Sequence, residues 1–390
     1  MDSYFSILII VGSFLVATMF PKFISLGLKG IALELVVIFI GLLLGKYFLN
    51  LINYSFFLSI EPLFLAALAW VGLLVGEQFN VEMLKKFDRK YYYFSFLEMF
   101  FPFIFVYFAL LGFSKVVYMP VERWTTFLLL ATLSVFTSIF HIYLNSKSKD
   151  IVANFLKFSS SFVIIIGIFV FQLILFLNHP VNTLFERIFS PVEWLAIMVF
   201  VGLLIGILYI FLTRPKLQNT ELSVINLGFV LLIGGVSNIF FVTPLFLGEI
   251  VGMLLTNFST KNDFFYGILQ KGEKPAFLMI LFLSGLIWMP GEDWHISIIV
   301  SLVYVISRAS GKFFSGMVFG KRFLKIKKGG FIIDWTYLIP QGSVVLMLAV
   351  NYNLIYSDRE SNFVLSVILL SYILNYLLGE LLLTEENKII

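Results

Sequence analysis

The sequence has no cysteine and only three histidines, and these absences exclude several kinds of site. Without thiols, neither a disulfide framework nor a thiolate metal centre can form. His141, His179 and His295 are scattered and do not have the spacing of a metal-binding motif. The motifs GxxxxGKS/T, GxSxG and HExxH do not occur, so nothing supports ATP hydrolysis or common hydrolase chemistry. We therefore expect no cofactor, no metal, no enzymatic activity and no nucleic-acid partner.

Charged residues are also scarce, at 13% of the chain, while hydrophobic residues make up 60% and the mean hydropathy is +0.99. Soluble domains are about 45–50% apolar and about 25% charged. The composition is therefore typical of an all-α polytopic membrane protein whose surroundings are the lipid bilayer.

Apolar segments of about the length of a membrane-spanning helix occur about thirteen times. Together they predict one transmembrane domain over residues 1–390, whose first segment is a span because an acid precedes it where a signal peptide has basic residues. The predicted spans are roughly 4–20, 30–46, 60–76, 92–113, 124–144, 158–177, 191–212, 221–240, 243–257, 275–289, 295–319, 331–351 and 362–383.

Lysine and arginine residues test this topology, because cytoplasmic loops are enriched in them. With the N-terminus outside, inside loops hold 20 of the 27 basic residues and outside loops hold 5. The remaining two, Arg308 and Lys312, lie within a span. The distribution predicts an N-terminus outside and a cytoplasmic C-terminus.

Thirteen spans place segments two to six and segments nine to thirteen in opposite orientations. Inverted five-helix repeats of this kind are a feature of secondary transporters. We expect repeat one over about 30–177, repeat two over about 243–383, and accessory helices at 4–20, 191–212 and 221–240.

Two of these spans contain features that interrupt a helix at corresponding positions. LSVFTSIFH, residues 133–141, brings the hydroxyls of Thr137 and Ser138 to mid-span. YLIPQGSVV, residues 337–345, contains Pro340, Gln341 and Gly342. Proline removes a backbone donor, and opened backbone at membrane depth is tolerated beside a cavity or within protein. Either segment alone is also explained by an ordinary kinked helix, whereas the two together favour a binding site at the breaks.

Four stretches in this order resemble the monovalent cation/proton antiporter superfamily, the sodium/proton exchangers. Phe64–Phe87 resembles its third helix and basic loop, Thr243–Leu255 its glycine-spaced ninth helix, Ser307–Arg322 its eleventh helix with a basic residue at mid-depth, and Leu338–Val350 its second crossing helix. The resemblance implies a panel or dimerisation domain, and a mobile core domain with two crossed, broken helices. It also implies a homodimer in a bacterial or archaeal inner membrane, with a monovalent cation and a proton as its transported partners.

The resemblance fails at the residues that bind the ion. Members of the family carry one or two acids in the sixth helix, and alignment on Gly167 places them at Val163 and Ile164. A shifted register uses Ser161 and Phe162 instead. The segment 158–177 contains no Asp, Glu or Asn, and a hydroxyl does not titrate near neutral pH. The coupling acid therefore lies elsewhere, or standard exchange does not occur.

Few charged residues remain at membrane depth, and each is a functional candidate. Arg308 lies 13 residues before Lys321, about 20 Å into the membrane, and Lys312 shares its helix face. Glu98 lies 8 residues after Lys90, about 12 Å deep. The family arrangement lets Glu98 pair with Lys312 or Arg308, either as part of the ion pathway or as a structural ion pair.

Glu249 lies inside the ninth span, which the resemblance places in the panel domain, either at the dimer contact or facing the cavity. The predicted pathway residues are Arg308, Lys312, Glu98, Thr137, Ser138, Ser161 and Gln341.

The resemblance implies antiport of sodium or potassium against protons. Arg308 and half-helix N-termini at the breaks also suit an anion, so an elevator-type carrier of an anionic or neutral solute is one alternative. A transport-inactive membrane sensor or partner subunit is another.

Overall fold

The computed structural model describes residues 33–52, 54–119, 124–138, 151–179, 189–214, 218–259, 262–291, 293–319 and 338–386. Within these ranges the chain forms thirteen helices and no strand. The helices are α1 Leu33–Leu44, α2 Tyr54–Glu77, α3 Val81–Leu84, α4 Arg89–Phe113, α5 Trp124–Leu133, α6 Ile151–Leu177, α7 Pro191–Leu212, α8 Asn219–Ile239, α9 Pro244–Phe258, α10 Asn262–Leu286, α11 Trp294–Phe319, α12 Val344–Tyr356 and α13 Arg359–Glu386.

The predicted all-α membrane fold is confirmed. Seven of the described helices are long and apolar enough to cross a membrane, and four shorter apolar helices accompany them. Twelve predicted spans coincide with a described helix, while the segment 4–20 lies outside the described residues.

Where two spans were predicted to be interrupted, α5 ends at Leu133 and α12 begins at Val344. Parts of these two spans, 139–144 and 331–337, lie outside the described residues. One other predicted boundary was wrong. The tenth helix starts at Asn262, because Pro275 lies inside it instead of beginning it. The short helix α3 was not predicted, since four residues are too few to show a period.

Local sequence explains where helices begin. Ser190 caps α7 in a capping box with Glu193, and Pro191 occupies the first turn, where its missing N–H is not needed. Thr243 caps α9 with its side chain, which accepts from the N–H of Phe246 at 3.2 Å, and Pro244 occupies the first turn. Side-chain caps and first-turn prolines therefore determine where α7 and α9 begin.

The helices form two groups. The crossing bundle consists of α4, α5, α6, α11, α12 and α13, in which α11 packs on α4 and α13. The flanking bundle consists of α1, α2, α7, α8, α9 and α10, in which α9 packs on α2. The contact between α2 and α9 is backbone to backbone, because a Cβ added at Gly76 would lie 2.3 Å from the carbonyl oxygen of Glu249. Close glycine-mediated packing of this kind is common between membrane helices.

Candidate ion-pathway site

The two interrupted segments touch each other inside the crossing bundle. The N–H of Ser138, in the first break, donates to the carbonyl of Pro340, in the second, at 3.0 Å. A Cβ added at Gly342 would lie 2.9 Å from the carbonyl oxygen of Thr137, so glycine is required for this approach. The crossed, broken helices expected from the sequence are therefore present.

Arg308 on α11 binds the backbone of both breaks. Its Nε donates to the Ser134 carbonyl at 2.9 Å and its Nη2 to the Phe136 carbonyl at 2.8 Å. Across the crossing, Nη2 also donates to Leu338 at 3.4 Å, and Nη1 donates to Ile339. The remaining Nη1 donor faces the amide oxygen of Asn375 at 3.5 Å. These contacts use all five guanidinium donors, so Arg308 holds the crossing together.

Glu98 on α4 and Lys312 on α11 form an ion pair beside the first break. Lys312 Nζ lies 2.9 Å from Glu98 Oε1, and both side chains are 0% exposed. The same ammonium donates to the Val135 carbonyl at 2.6 Å and to Thr137 Oγ1 at 2.8 Å. Thr137 donates to Glu98 Oε1 at 2.8 Å, and Ser159 on α6 donates to Oε2. We call Glu98, Lys312, Thr137 and Ser159 the central cluster.

The positive charges lie where the α5 helix ends. Its last carbonyls have no partner within the helix, and cations near a helix C-terminus are stabilised. Arg308 and Lys312 satisfy the Ser134, Val135 and Phe136 carbonyls that follow Leu133. The first break therefore presents carbonyl oxygens to its surroundings, and these favour a cation.

Gln341 belongs to a second polar group at the crossing. Its amide nitrogen donates to Tyr304 at 2.8 Å and to the Leu133 carbonyl at 3.2 Å. Its amide oxygen accepts from Asn375 at 3.2 Å. Gln341 thus links the second break to α5, α11 and α13, and its described contacts are structural.

The structure brings together most of the predicted pathway residues, but not all of them. Ser138 lies at the crossing, where its described contact is through its backbone N–H. Ser161 is partly exposed on α6, and the serine that reaches the central cluster is Ser159. Ser159, Tyr304 and Asn375 were not predicted as site residues. Each is a polar side chain within an apolar segment, which is the signal that could have identified it.

The positions of the missing acids are apolar and buried. Val163 is 1% exposed and Ile164 is 5% exposed. Gly167 lies against the ring of Phe136, since an added Cβ would come within 2.6 Å of it. The helix that carries the acids in the resembled family therefore packs on the first break here without supplying a carboxylate.

The described residues contain no group of three or more His, Asp or Glu side chains that could hold a metal ion. A cavity of about 320 Å³ lies between the bundles, lined by residues that include Lys46, Glu61 and Asn353. None of its lining residues belongs to the central cluster. His141 lies outside the described residues.

No protein-family model matches the sequence, and a search of curated proteins finds no match. Among solved structures, the chain is similar to the sodium proton antiporter MjNhaP1 from Methanocaldococcus jannaschii at pH 8. The identity is 16% and the TM-score 0.66, over 97% of this chain and 95% of that chain. The electron-microscopy structure of the same antiporter gives 17% identity and a TM-score of 0.64, over 98% and 96% of the two chains. The chain therefore has the fold of a sodium/proton antiporter.

Proposed function

We propose that the protein exchanges a monovalent cation, Na⁺ or K⁺, for protons, and that Glu98 replaces the carboxylate missing from α6. The observation that carries the proposal is the buried contact of 2.9 Å between Glu98 and Lys312 beside the crossed breaks. Ionisable residues within membrane segments are costly and mark ion pathways. The antiporter fold of the chain supports the same activity.

The surroundings of the Lys312 ammonium suit a metal cation. Glu98 Oε1, the Val135 carbonyl and Thr137 Oγ1 lie 2.9, 2.6 and 2.8 Å from Nζ. Alkali cations take oxygen ligands, including backbone carbonyls that replace their hydration shell. The ammonium therefore occupies a position that Na⁺ or K⁺ could take.

Exchange then follows from competition for one carboxylate. When the cation binds Glu98, Lys312 loses its counterion, and its N–H bond breaks as the proton passes to water. When the cation leaves, Lys312 takes up a proton and the ion pair forms again. The charge of the cluster is the same in both states, so the cluster holds either the cation or the proton.

The residue bounds of the two repeats and the site roles of Arg308, Lys312, Glu98, Thr137, Ser138, Ser161 and Gln341 belong to this proposal. So do a homodimer, an inner-membrane location, and an N-terminus outside with a cytoplasmic C-terminus. The excess of basic residues in alternate loops supports the orientation. Many exposed apolar side chains on α7 and α8, such as Phe200 and Leu227, support contact with lipid.

A transport-inactive membrane component is the second candidate. It is favoured by the apolar residues Val163 and Ile164, together with a Glu98 whose two oxygens both accept hydrogen bonds. In that case the ion pair serves only to lock the crossing bundle. The anion carrier has less support, because Arg308 already uses its donors on carbonyls and on Asn375.

Purified protein in liposomes with an interior pH-sensitive dye tests the proposal. We expect Na⁺- or K⁺-dependent proton movement in the wild type and its loss in Glu98→Gln. Glu82→Gln is the matched control, because it makes the same change at an exposed acid on α3 and should retain exchange. Equal exchange in Glu98→Gln would remove Glu98 from the mechanism, and no exchange in the wild type would favour the inactive component.

A further inference from the structure

Glu249, in the middle of α9, is a second buried acid that the exchange scheme does not use. Its side chain is 0% exposed within a single chain, so it does not lie on a surface available to a second protomer. Within the described residues, neither carboxylate oxygen has a hydrogen-bond partner. An ionised carboxylate in such a place is strongly unfavourable, and the group takes up a proton instead. Glu249 therefore differs from Glu98, whose charge is compensated by Lys312.

Glu249 lies between the two bundles. On one side, its backbone touches α2 of the flanking bundle at Gly76. On the other, α9 meets α6 of the crossing bundle, where the rings of Phe246 and Phe169 lie 5.0 Å apart. Because Glu249 follows Phe246 by three residues, its side chain projects between the α2 face and the α6 face of α9. We call this boundary between α2, α6 and α9 the seam.

Other polar groups occur along the same seam. Gln172 on α6 accepts from the N–H of Thr243 at 3.0 Å, while its amide nitrogen has no partner within the described residues. Ser161 lies 11 residues before Gln172, about three turns and 16 Å, and so is on the same face of α6. Since α6 and α9 run in opposite directions, Glu249 lies at a depth between Gln172 and Ser161. Along the seam, Glu249 therefore has a polar side chain on each side of it, Gln172 towards one membrane surface and Ser161 towards the other.

No charged neighbour compensates Glu249 in the described part of the chain. None of the ionisable groups on the helices that pack against α9 is hydrogen-bonded to it. Those with described side chains are Glu61 and Glu77 on α2, Lys157 on α6, Glu193 and Tyr209 on α7, Glu221 on α8, and Tyr266 on α10, which donates to the Gly252 carbonyl at 2.9 Å. Glu77 directly follows Gly76, the residue that contacts the Glu249 backbone, but its carboxylate accepts from Gln270 at 3.4 Å.

We propose that Glu249 is a second proton-binding site, which holds a proton while the seam is closed and exchanges it with water when the seam opens. In this step the carboxylic O–H bond breaks, the proton passes to an entering water molecule, and a carboxylate remains. The inference rests on the proposed function, because cation exchange supplies the movement of the crossing bundle that opens the seam. Of the two bundles that move relative to each other, the crossing bundle then carries Glu98 and the flanking bundle carries Glu249.

Infrared spectroscopy of the full-length protein in lipid tests the closed state. At neutral pH, we expect a carboxylic-acid carbonyl band that Glu249→Gln removes and Glu98→Gln retains. Glutamine resembles the protonated acid in shape and charge, so Glu249→Gln should fold, and its unfolding temperature should equal that of the wild type. Glu249→Leu provides a second variant that cannot ionise. A spectrum that neither Glu249 variant changes would overturn the inference.

Proton release tests the open state. Detergent-solubilised protein in weak buffer receives NaCl or KCl, and a pH dye reports the protons released. We expect Glu249→Gln to release one proton per chain fewer than the wild type, and Glu82→Gln to release the wild-type number. If the wild type transports, and Glu249→Gln releases as many protons as the wild type, this inference alone is overturned. If the wild type shows no cation-dependent flux, the proposed function fails, and the exchange step of Glu249 fails with it.

Discussion

At the Glu98–Lys312 pair, the contribution of charge to the unfolding free energy can be tested separately from that of hydrogen bonding. Glu98→Gln keeps an acceptor for Thr137 and places its amide nitrogen beside Ser159, whose hydroxyl can accept. What it removes is the counterion of Lys312, which is 2.9 Å away and buried. Removing one partner of a buried ion pair costs about 3–5 kcal/mol, because the remaining charge is uncompensated.

We expect Glu98→Gln and Lys312→Met each to lower the unfolding free energy by about 3–5 kcal/mol. At about 2 °C per kcal/mol for a long chain, the unfolding temperature should fall by roughly 6–10 °C. The double variant should be close to the wild type, since replacing both charges of a buried pair is often neutral. Thermal unfolding in detergent measures all four proteins. A double variant that loses as much as the sum of the single variants would refute the pairing.

Three further predictions concern the crossing. Arg308→Lys should lower the unfolding free energy by at least ~3 kcal/mol, because three ammonium donors cannot replace five guanidinium donors, and thermal unfolding measures this loss. Gly311→Ala should lower the unfolding free energy by about 1–3 kcal/mol, since the new Cβ would lie 2.6 Å from the α4 backbone. Gly112→Ala is its control, because an added Cβ there has nothing within 4 Å, and its unfolding free energy should equal or exceed that of the wild type in the same thermal assay. Val163→Asp should restore part of the cation-dependent proton flux to Glu98→Gln, because it returns a carboxylate to α6 one turn from the serine that binds Glu98; flux that stays absent would contradict this.

The fold could be predicted from the sequence, because the apolar runs and basic loops that indicate it are distributed along the whole chain. Spans follow from runs of apolar residues, and the alternation of basic loops makes an error in their number visible. The breaks also follow from local chemistry, since Pro340 and Gly342 cannot continue an ordinary helix without loss. Their contact depends on long-range packing, for which the family resemblance supplied the expectation.

The central cluster could be predicted only in part, because helix rotation is not encoded locally. Depth alone allowed Glu98 to meet either Lys312 or Arg308, and the structure pairs it with Lys312. Three consecutive serines give no indication of which one faces α4, so alignment favoured Ser161 where the contact is made by Ser159. In an apolar helix such as α6, rotation is determined by the packing of its neighbours.

The role of Arg308 was also beyond local reasoning. A buried guanidinium in a transporter is compatible with binding a substrate anion or with satisfying the backbone. The choice depends on how many free carbonyls the breaks bring within its reach, and the two breaks together supply four. The same geometry explains why the breaks do not remain open to an anion.

Cation binding by Glu98 is the claim on which the account most depends, and thermal stabilisation measures it without requiring transport. A ligand at 100 times its Kd stabilises the folded protein by about 2.7 kcal/mol. We expect NaCl or KCl, but not choline chloride at equal ionic strength, to raise the unfolding temperature of the wild type and of Glu82→Gln. Glu98→Gln should show no such rise. An equal rise in Glu98→Gln would place the cation elsewhere and contradict the account.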